Sequence, residues 1–568
     1  VYLSCEFAAA RVRGFQGGDL TAPDSLLTTP KHFAAYGAIS AGLDYNFVDM
    51  APQTLRDVHL PPFKAALDAG ALTLMSSFND INGVPASANR ELLTDILRGE
   101  WKFEGFVVSD YTSDLELVAH GYAADEADAA QKALSAGLDM SLQSGVYANH
   151  VAALVEQGRL SMAEVDEAVR RVLHVKAAAG LFDDPYRCLD AAREADQSHI
   201  PAHDALARDC ARRSIVLLKN DGDVLPLKKS GQRIALIGPF AQDTAHLGGC
   251  WNIFGDASRM VDLETGLRAA LDDPSALVVV PGSGIEDAVE GGIEAAVAAA
   301  RAADVVLLAL GEPHDFSGEA QSRTQIVIPA AQQALAEAVA ATGTPVVVVL
   351  RNGRALALEG AVREAQALLV TWFLGTQTGP AVADVVFGDY NPSARLPVSF
   401  PQDAGQQPYF YNHPATGRPN VPGTPRFFQT RWREVPHAAL YPFGHGLTYT
   451  RFEYGLPQLS ATRLGWDDTL TVRTRITNAG ARDGEDVVQL YVRDRIASRV
   501  RPVRELKRFR KIALAAGQSL DVEFTLTRTD LAFHGVDNRL AAEPGLFDLW
   551  IAPSATTGEA VQFELLAP

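Results

Sequence analysis

At 568 residues the chain is too long for one hydrophobic core and predicts about three or four domains. Its 47% hydrophobic and 8% aromatic content is that of an ordinary globular protein, and no apolar run reaches the roughly 18 residues that a membrane-spanning helix needs. A formal net charge of −19 speaks against a nucleic-acid or anionic-membrane surface and favours a neutral substrate over a phosphorylated one. The cysteines Cys5, Cys188, Cys210 and Cys250 are scattered and form no CxxC pair, so they spell out no zinc site and are too few to fix a redox compartment.

The chain opens with VYLSCEF, which has neither an initiator Met nor a basic-then-apolar leader pattern, so its true start is expected upstream. From residue 1 to about 185, short β-rich runs alternate with amphipathic helical stretches. Strands are predicted at Leu26–Phe33, Ala71–Asn79, Gly105–Tyr111 and Gly137–Leu142. Helices are predicted between them at ANRELLTDILRGEW and at DEADAAQKALSAG, the latter ended by a glycine. Strand, helix, strand is the order of a parallel sheet or barrel. Four such units are half of a (β/α)8 barrel, so this region is either an open sheet or a barrel whose first half precedes Val1. If the first half is absent, exposed strand edges and an open barrel interior predict poor solubility for these residues alone.

Residues 186–206 read as a linker. From 207 to 401 the alternation resumes as an α/β domain: RIALIGP, ALVVVPG, ADVVLLALG, TPVVVVLRNG and AQALLVTWF are continuous apolar strands of the kind buried on both faces. A connector rich in proline and aromatic residues, 402–451, is too irregular for a core element. Beyond it, LTVRTRITN, DVVQLYVRD, LDVEFTLT and FDLWIAP alternate between turn residues and read as an all-β sandwich of immunoglobulin or fibronectin type, 452–568.

There is no GxGxxG after a strand, no GxxxxGK[ST], no GxSxG elbow and no HExxH, which disfavours dinucleotide, P-loop, serine-hydrolase and zinc-protease chemistry. Three stretches stand out instead: PKHFAAYG (30–37), GFVVSDYTSDLE (105–116) and GEPHDFSGEAQSR (311–323). Asp110 sits at the tip of an apolar strand, where it either caps the next helix or does chemistry. In a barrel, Lys31, His32 and Asp110 all lie at the carboxyl ends of strands, the face that carries barrel active sites. A strand-end carboxylate beside a basic pair suits attack on a polyhydroxylated ligand. Glycoside hydrolysis requires a second carboxyl group that is protonated when the first is ionised.

In order along the chain, KHFAAYG, VDMAPQ, FNDINGVPA, VSDY, GLFDDPY, SIVLLKN, LPLKK, GEAQSRT, FGDYNPSARLPVSFP and YPFGHGLTYT resemble glycoside hydrolase family 3, and within it the bacterial periplasmic β-glucosidases. The likeness spans essentially all 568 residues. It implies a (β/α)8 barrel, partial in this chain over 1–185, then an α/β sandwich and a C-terminal fibronectin type III-like β-sandwich. It also implies that an aspartate and an arginine which grip the sugar in relatives precede Val1.

Position by position, the resemblance makes Asp110 the nucleophile and gives Lys31 and His32 the hydroxyls of the sugar at the cleavage point. Tyr111 would stack on the next sugar, unless it packs in the core. Trp251, in GGCWNIFG, either reaches the same cleft or packs in the core. Phe78 stands where relatives sometimes carry tyrosine and is given no polar role. Glu319 matches the acid/base, with Arg323 able to orient it, while Glu116 and Glu312 remain alternatives. Relatives acting on N-acetylhexosamines carry KHFPGHG with a catalytic histidine; Tyr36 stands at that position here, which argues against their mechanism. The implied reaction is retaining, exo-acting release of β-D-glucose, with β-xyloside next and a non-catalytic carbohydrate-binding protein as the alternative of another class. It needs no metal or organic cofactor. The expected partner is an oligosaccharide or aryl glycoside rather than nucleic acid or membrane; a homodimer is compatible with it, as is a periplasmic or secreted location.

Overall fold

A computed structural model describes residues 1–197, 200–420 and 428–568, so small parts of the predicted linker and connector lie outside the described residues. The chain forms two compact units, Val1–Ser198 with Phe533–Ala541, and His199–Ala532 with Ala542–Pro568.

In the first unit, strands Thr73–Met75 and Phe106–Val108 pair in parallel, with Leu74 opposite Val107. Single parallel bridges extend this row, Phe33 to Ser76 on one side and Val108 to Met140 on the other. The four segments predicted as strands therefore lie side by side in chain order, but the outer two are not regular strands. Pro30 has no N–H to give a ladder, and pairing on that side is carried by Phe33, whose N–H donates to Met75 O at 2.8 Å. On the other side the Asp139 carboxylate accepts the Val107 N–H at 2.8 Å, which diverts a donor from the ladder.

The two predicted helices form. Glu91–Glu100 is wound one residue wider than an α-helix and buries Leu92, Leu93, Ile96 and Leu97 on one face. Glu126–Ala136 starts where the Asp125 side chain accepts the Asp128 N–H and stops at Gly137, whose φ of 108° suits only glycine. Phe33, Leu74, Leu93, Val107 and Leu138 make the centre of this core.

Asp139 holds that core together electrostatically. Its buried carboxylate accepts from Arg98 Nη2 at 2.6 Å and Arg171 Nη1 at 2.7 Å. Burial depresses the Arg98 guanidinium to about 10, and burial also raises the Asp139 carboxyl above its ordinary value. Asp139→Ala leaves two guanidiniums without their shared anion and is expected to cost about 3–5 kcal/mol. Hydrogen exchange of the Phe106–Val108 amides should show that loss of protection directly. The hairpin formed by Phe533–His534 and Leu540–Ala541 belongs to this unit, where His534 Nδ1 lies 2.6 Å from Asp57 Oδ1.

In the second unit a six-stranded sheet runs in the order Val216–Asn220, Ala367–Val370, Val346–Arg351, Val305–Gly311, Ile234–Ile237, Leu277–Val280. All pairings are parallel except that of Val216–Asn220 at one edge. The four central strands are wholly buried, which is why each reads as an unbroken apolar run. The α/β organisation and the C-terminal fibronectin-like β-sandwich agree with the fold class expected from the sequence. In the sandwich, Leu470–Asn478 lies in one sheet, and Gly484–Asp494 and Gly545–Ala552 lie in the other. Glu505–Leu514 is an edge strand that the sequence reading missed, because its lysines and arginines mask the alternation. Such charge is how exposed edges resist pairing with other chains.

The described residues of the connector 402–451 are largely irregular. They contribute Phe443 and Tyr441 to buried surroundings, and Tyr441 bridges Phe400. Between sheet and sandwich, Arg395 pairs with the fully buried Asp486, which also accepts the Tyr454 hydroxyl at 2.7 Å. No described helix is long and apolar enough to cross a membrane.

Candidate active site

The strand Phe106–Val108 delivers Ser109 and Asp110 to its carboxyl end. Ser109 anchors the tip on both sides, its N–H donating to Met140 O at 2.9 Å and its hydroxyl accepting the Leu142 N–H at 2.8 Å. The chain then turns sharply at Thr112, a β-branched residue held at φ 60°, a strained conformation of the kind that clusters at functional sites. Asp114, not Asp110, caps the short helix that follows, accepting the Leu115 N–H at 3.0 Å. Asp110 is thereby released from the capping role.

Asp110 is 6% exposed. Its Oδ1 accepts the Tyr111 N–H at 2.7 Å, and His32 Nε2 lies 3.0 Å from Oδ2. The His32 contact does not meet hydrogen-bond geometry, which leaves Oδ2 without an aligned donor. Burial alone would raise the Asp110 carboxyl; the His32 ring, the Tyr111 N–H and the Lys31 charge outweigh it, and the net displacement is downward. The structure thus brings Lys31, His32 and Asp110 together.

Around His32 stands an aromatic wall. Tyr36 meets it edge-on at 5.2 Å between centroids, and Phe78 lies at 6.2 Å. Tyr45, another residue held at positive φ, packs edge-on to Phe78 at 5.2 Å. The Tyr36 hydroxyl donates to Asp44, and burial together with that carboxylate drives its pKa far up, so Tyr36 stays a neutral donor. Asp44 and Tyr45 escaped the sequence reading; their only signal was an Asp-Tyr pair soon after KHFAAYG.

Glu116 is half-buried, with Thr112 Oγ1 donating to its Oε1 at 3.2 Å. Burial raises its carboxyl, with the nearby Asp110 and Asp114 charges adding to that against Thr112 and His120. Tyr111 is 57% exposed, which removes the core-packing reading.

In the second unit, the strand Val305–Gly311 runs into the loop 312–323. Glu312 is fully buried beneath it. Its Oε1 takes Arg323 Nη1 at 2.7 Å and lies 3.4 Å from Arg354 Nε, and its Oε2 accepts the Gly353 N–H at 3.2 Å. Glu312 is therefore an anchor of the loop, not an acid open to substrate, and Arg323 is engaged by it rather than reserved for Glu319. Glu319 lies exposed farther along the same loop. Trp251 is 68% exposed, so the core-packing reading fails for it as well. His246 and His314, unmarked by the sequence, face each other with Nδ1 atoms 2.7 Å apart and tie the loop of Trp251 to that of Glu319. Among the described residues no cluster of His, Cys, Asp and Glu is suited to hold a metal ion.

Comparison with known proteins gives matches along the chain. Residues 1–175 match the glycosyl hydrolase family 3 N-terminal domain, 215–449 the family 3 C-terminal domain and 486–555 a fibronectin type III-like domain. A periplasmic β-glucosidase of Salmonella typhimurium is 42% identical across 100% of this chain and 77% of its own length. A β-xylosidase of Formosa agariphila is 35% identical across 98% of this chain and 78% of its own. The crystal structure of a β-glucosidase from Listeria innocua in complex with isofagomine superposes with a TM-score of 0.95 at 38% identity, covering 99% of this chain and 78% of that one.

Proposed function

Since this chain belongs to glycoside hydrolase family 3, we propose that it is a retaining, exo-acting β-glycosidase that releases terminal, non-reducing β-D-glucose from β-glucosides and oligosaccharides. The observation that carries this reading is Asp110: a nearly buried carboxylate, kept ionised beside His32 and Lys31, with one oxygen held by a backbone N–H and the other lacking an aligned donor. A nucleophile needs such a fixed, charged, poorly solvated oxygen.

In the first step an Asp110 oxygen bonds to the anomeric carbon as the glycosidic C–O bond breaks. The departing oxygen takes its proton from Glu319. In the second step water attacks the anomeric carbon, gives one of its own protons to Glu319 as the Asp110–carbon bond breaks, and leaves its O–H on the sugar, so two inversions give net retention. Lys31 and His32 bind hydroxyls of the sugar. Tyr111 and Trp251, both exposed aromatic side chains, offer faces for the sugar beyond it. Glu116 is the rival acid: its raised carboxyl has the direction a proton donor needs. Neither step calls for a metal or organic cofactor. The name of the Salmonella relative supports a periplasmic or secreted site of action.

A β-xylosidase is the second reading, favoured by the name of the Formosa relative. The proposal predicts that 2-deoxy-2-fluoro-β-D-glucosyl fluoride inactivates the enzyme and adds one sugar mass to the peptide containing Asp110. NMR of the product should show the β-anomer first. Formation of the α-anomer first, or labelling elsewhere, defeats the mechanism. Faster turnover of 4-nitrophenyl β-xyloside than of the glucoside moves the assignment to xylosidase.

A further inference from the structure

The loop 40–47 carries Asp44 and Tyr45 to the aromatic wall beside His32. It closes on itself, the Ser40 N–H donating to Phe47 O at 2.9 Å and Asn46 Nδ2 to Ser40 O at 3.0 Å. At its tip Asp44 Oδ1 accepts both the Tyr36 hydroxyl and the Tyr45 N–H, the latter at 3.2 Å. Tyr45 is held there at φ 67°, a strained conformation for a bulky residue and one that gathers at functional sites. One carboxylate oxygen thereby fixes two rings of the wall. Tyr36 lies edge-on to His32 at 5.2 Å, Tyr45 edge-on to Phe78 at 5.2 Å, and Phe78 lies 6.2 Å from His32. His32 depends on these neighbours. The ring torsion of a histidine has a broad well, so the plane of its ring is set from outside rather than by its own rotamer. Among the described residues no hydrogen bond fixes the His32 ring, since its contact with Asp110 at 3.0 Å lacks that geometry.

We propose that Asp44 is a positioning residue for this site: acting through the Tyr36 hydroxyl, it sets the plane of the His32 ring and so the placement of the sugar over Asp110. This rests on the β-glycosidase reading with Asp110 as nucleophile. His32, Tyr36, Asp44, Tyr45 and Asp110 all belong to one compact unit. The Tyr36 hydroxyl is the joint, because a neutral phenol donates and an ionised carboxylate is the stronger kind of acceptor. Without Asp44 the Tyr36 ring turns about its own broad torsion, and His32 loses the edge against which it rests. A misplacement of about 1 Å in a group that orients substrate costs up to roughly 10²-fold in rate.

The test is a double-mutant cycle read as kcat/KM on 4-nitrophenyl β-glucoside. Asp44→Ala should lower it about 10- to 100-fold. In the His32→Ala background the same substitution should cost less than about twofold, since the ring it positions is gone. Asp44→Asn, whose amide oxygen still accepts the Tyr36 hydroxyl, should recover most of the loss. Tyr36→Phe removes one oxygen atom and should match Asp44→Ala, with no further loss when the two are combined; if Asp44→Ala does not fold, Tyr36→Phe in both backgrounds carries the same cycle. Across 4-nitrophenyl β-glucosides that each lack one hydroxyl, the substrate on which His32→Ala costs least should be the one on which Asp44→Ala costs least. A loss of full size in the His32→Ala background overturns the proposal, because a merely structural role acts alike in both. Equal losses for Asp44→Asn and Asp44→Ala, or an unaltered Tyr36→Phe enzyme, overturn it too. If the unsubstituted protein hydrolyses no 4-nitrophenyl β-glycoside, the glycosidase reading itself has failed. If it does and the two substitutions are additive, only the positioning role of Asp44 has failed.

Discussion

Asp110→Asn lowers kcat/KM on every β-glucoside by roughly 10⁴-fold or more, whatever the leaving group. The substitution is nearly isosteric. An amide oxygen can still accept the Tyr111 N–H that Oδ1 takes at 2.7 Å, so the strand tip keeps its shape. What disappears is the negative charge and the lone pair that would bond to carbon, a deficit of about 5.5 kcal/mol in the barrier at 1.36 kcal/mol per factor of ten. The variant should bind a glucose-like inhibitor, melt close to the parent and take no fluoro-sugar label. The pH profile carries a related expectation. Burial pushes the Asp110 carboxyl up, but the His32 ring, the Tyr111 N–H and the Lys31 charge bring it net below its ordinary value. A depressed carboxyl stays ionised as pH falls, so any acid limb of kcat/KM owed to Asp110 lies below the ordinary aspartate range. Lys31→Met removes one of the stabilising charges and should move that limb upward. An Asn variant that keeps more than about a hundredth of the parent activity would show that another group attacks the sugar.

The physical signals differ in how far they reach. Strands buried on both faces, such as Val305–Gly311 and Val346–Arg351, announce themselves because nothing but apolar residues is tolerated there. The outer segments of the first unit were read as longer strands than they are, since alternation reports burial and not which N–H is diverted by a side chain such as Asp139. Asp110 was legible because an acid ending an apolar strand is costly unless it has a task. The separate fates of Glu312 and Glu319 were not: both stand in one polar loop, and only folding shows that Glu312 lies beneath Arg323 and Arg354. His246 and His314 are 68 residues apart, and nothing local to either marks the pair.

Glu319→Ala separates substrates by their leaving groups. A dinitrophenolate departs without help, so formation of the glycosyl-enzyme from dinitrophenyl β-glucoside is expected to survive nearly intact, whereas cellobiose, whose departing sugar oxygen must be protonated, loses roughly 10²–10⁴-fold. Water in the second step loses its general base in the same variant, so the covalent intermediate should accumulate and give a burst of dinitrophenol. Azide is anionic and needs no base. It should relieve the second step, restore steady turnover and yield β-glucosyl azide, the configuration that retention demands. Asp110→Asn should show neither burst nor rescue. Glu312→Ala should instead act through stability, because it strips the Arg323 and Arg354 guanidiniums of a fully buried carboxylate. Its losses should be equal for good and poor leaving groups and accompanied by a lower melting temperature. Glu116 is the decisive comparison. Its carboxyl is raised by burial and belongs to the same unit as Asp110, so it has the electrostatics of an acid without depending on the loop 312–323. If Glu116→Ala gives the burst and the azide product while Glu319→Ala does not, proton transfer is supplied from the unit that holds the nucleophile, and Glu319 is not the acid.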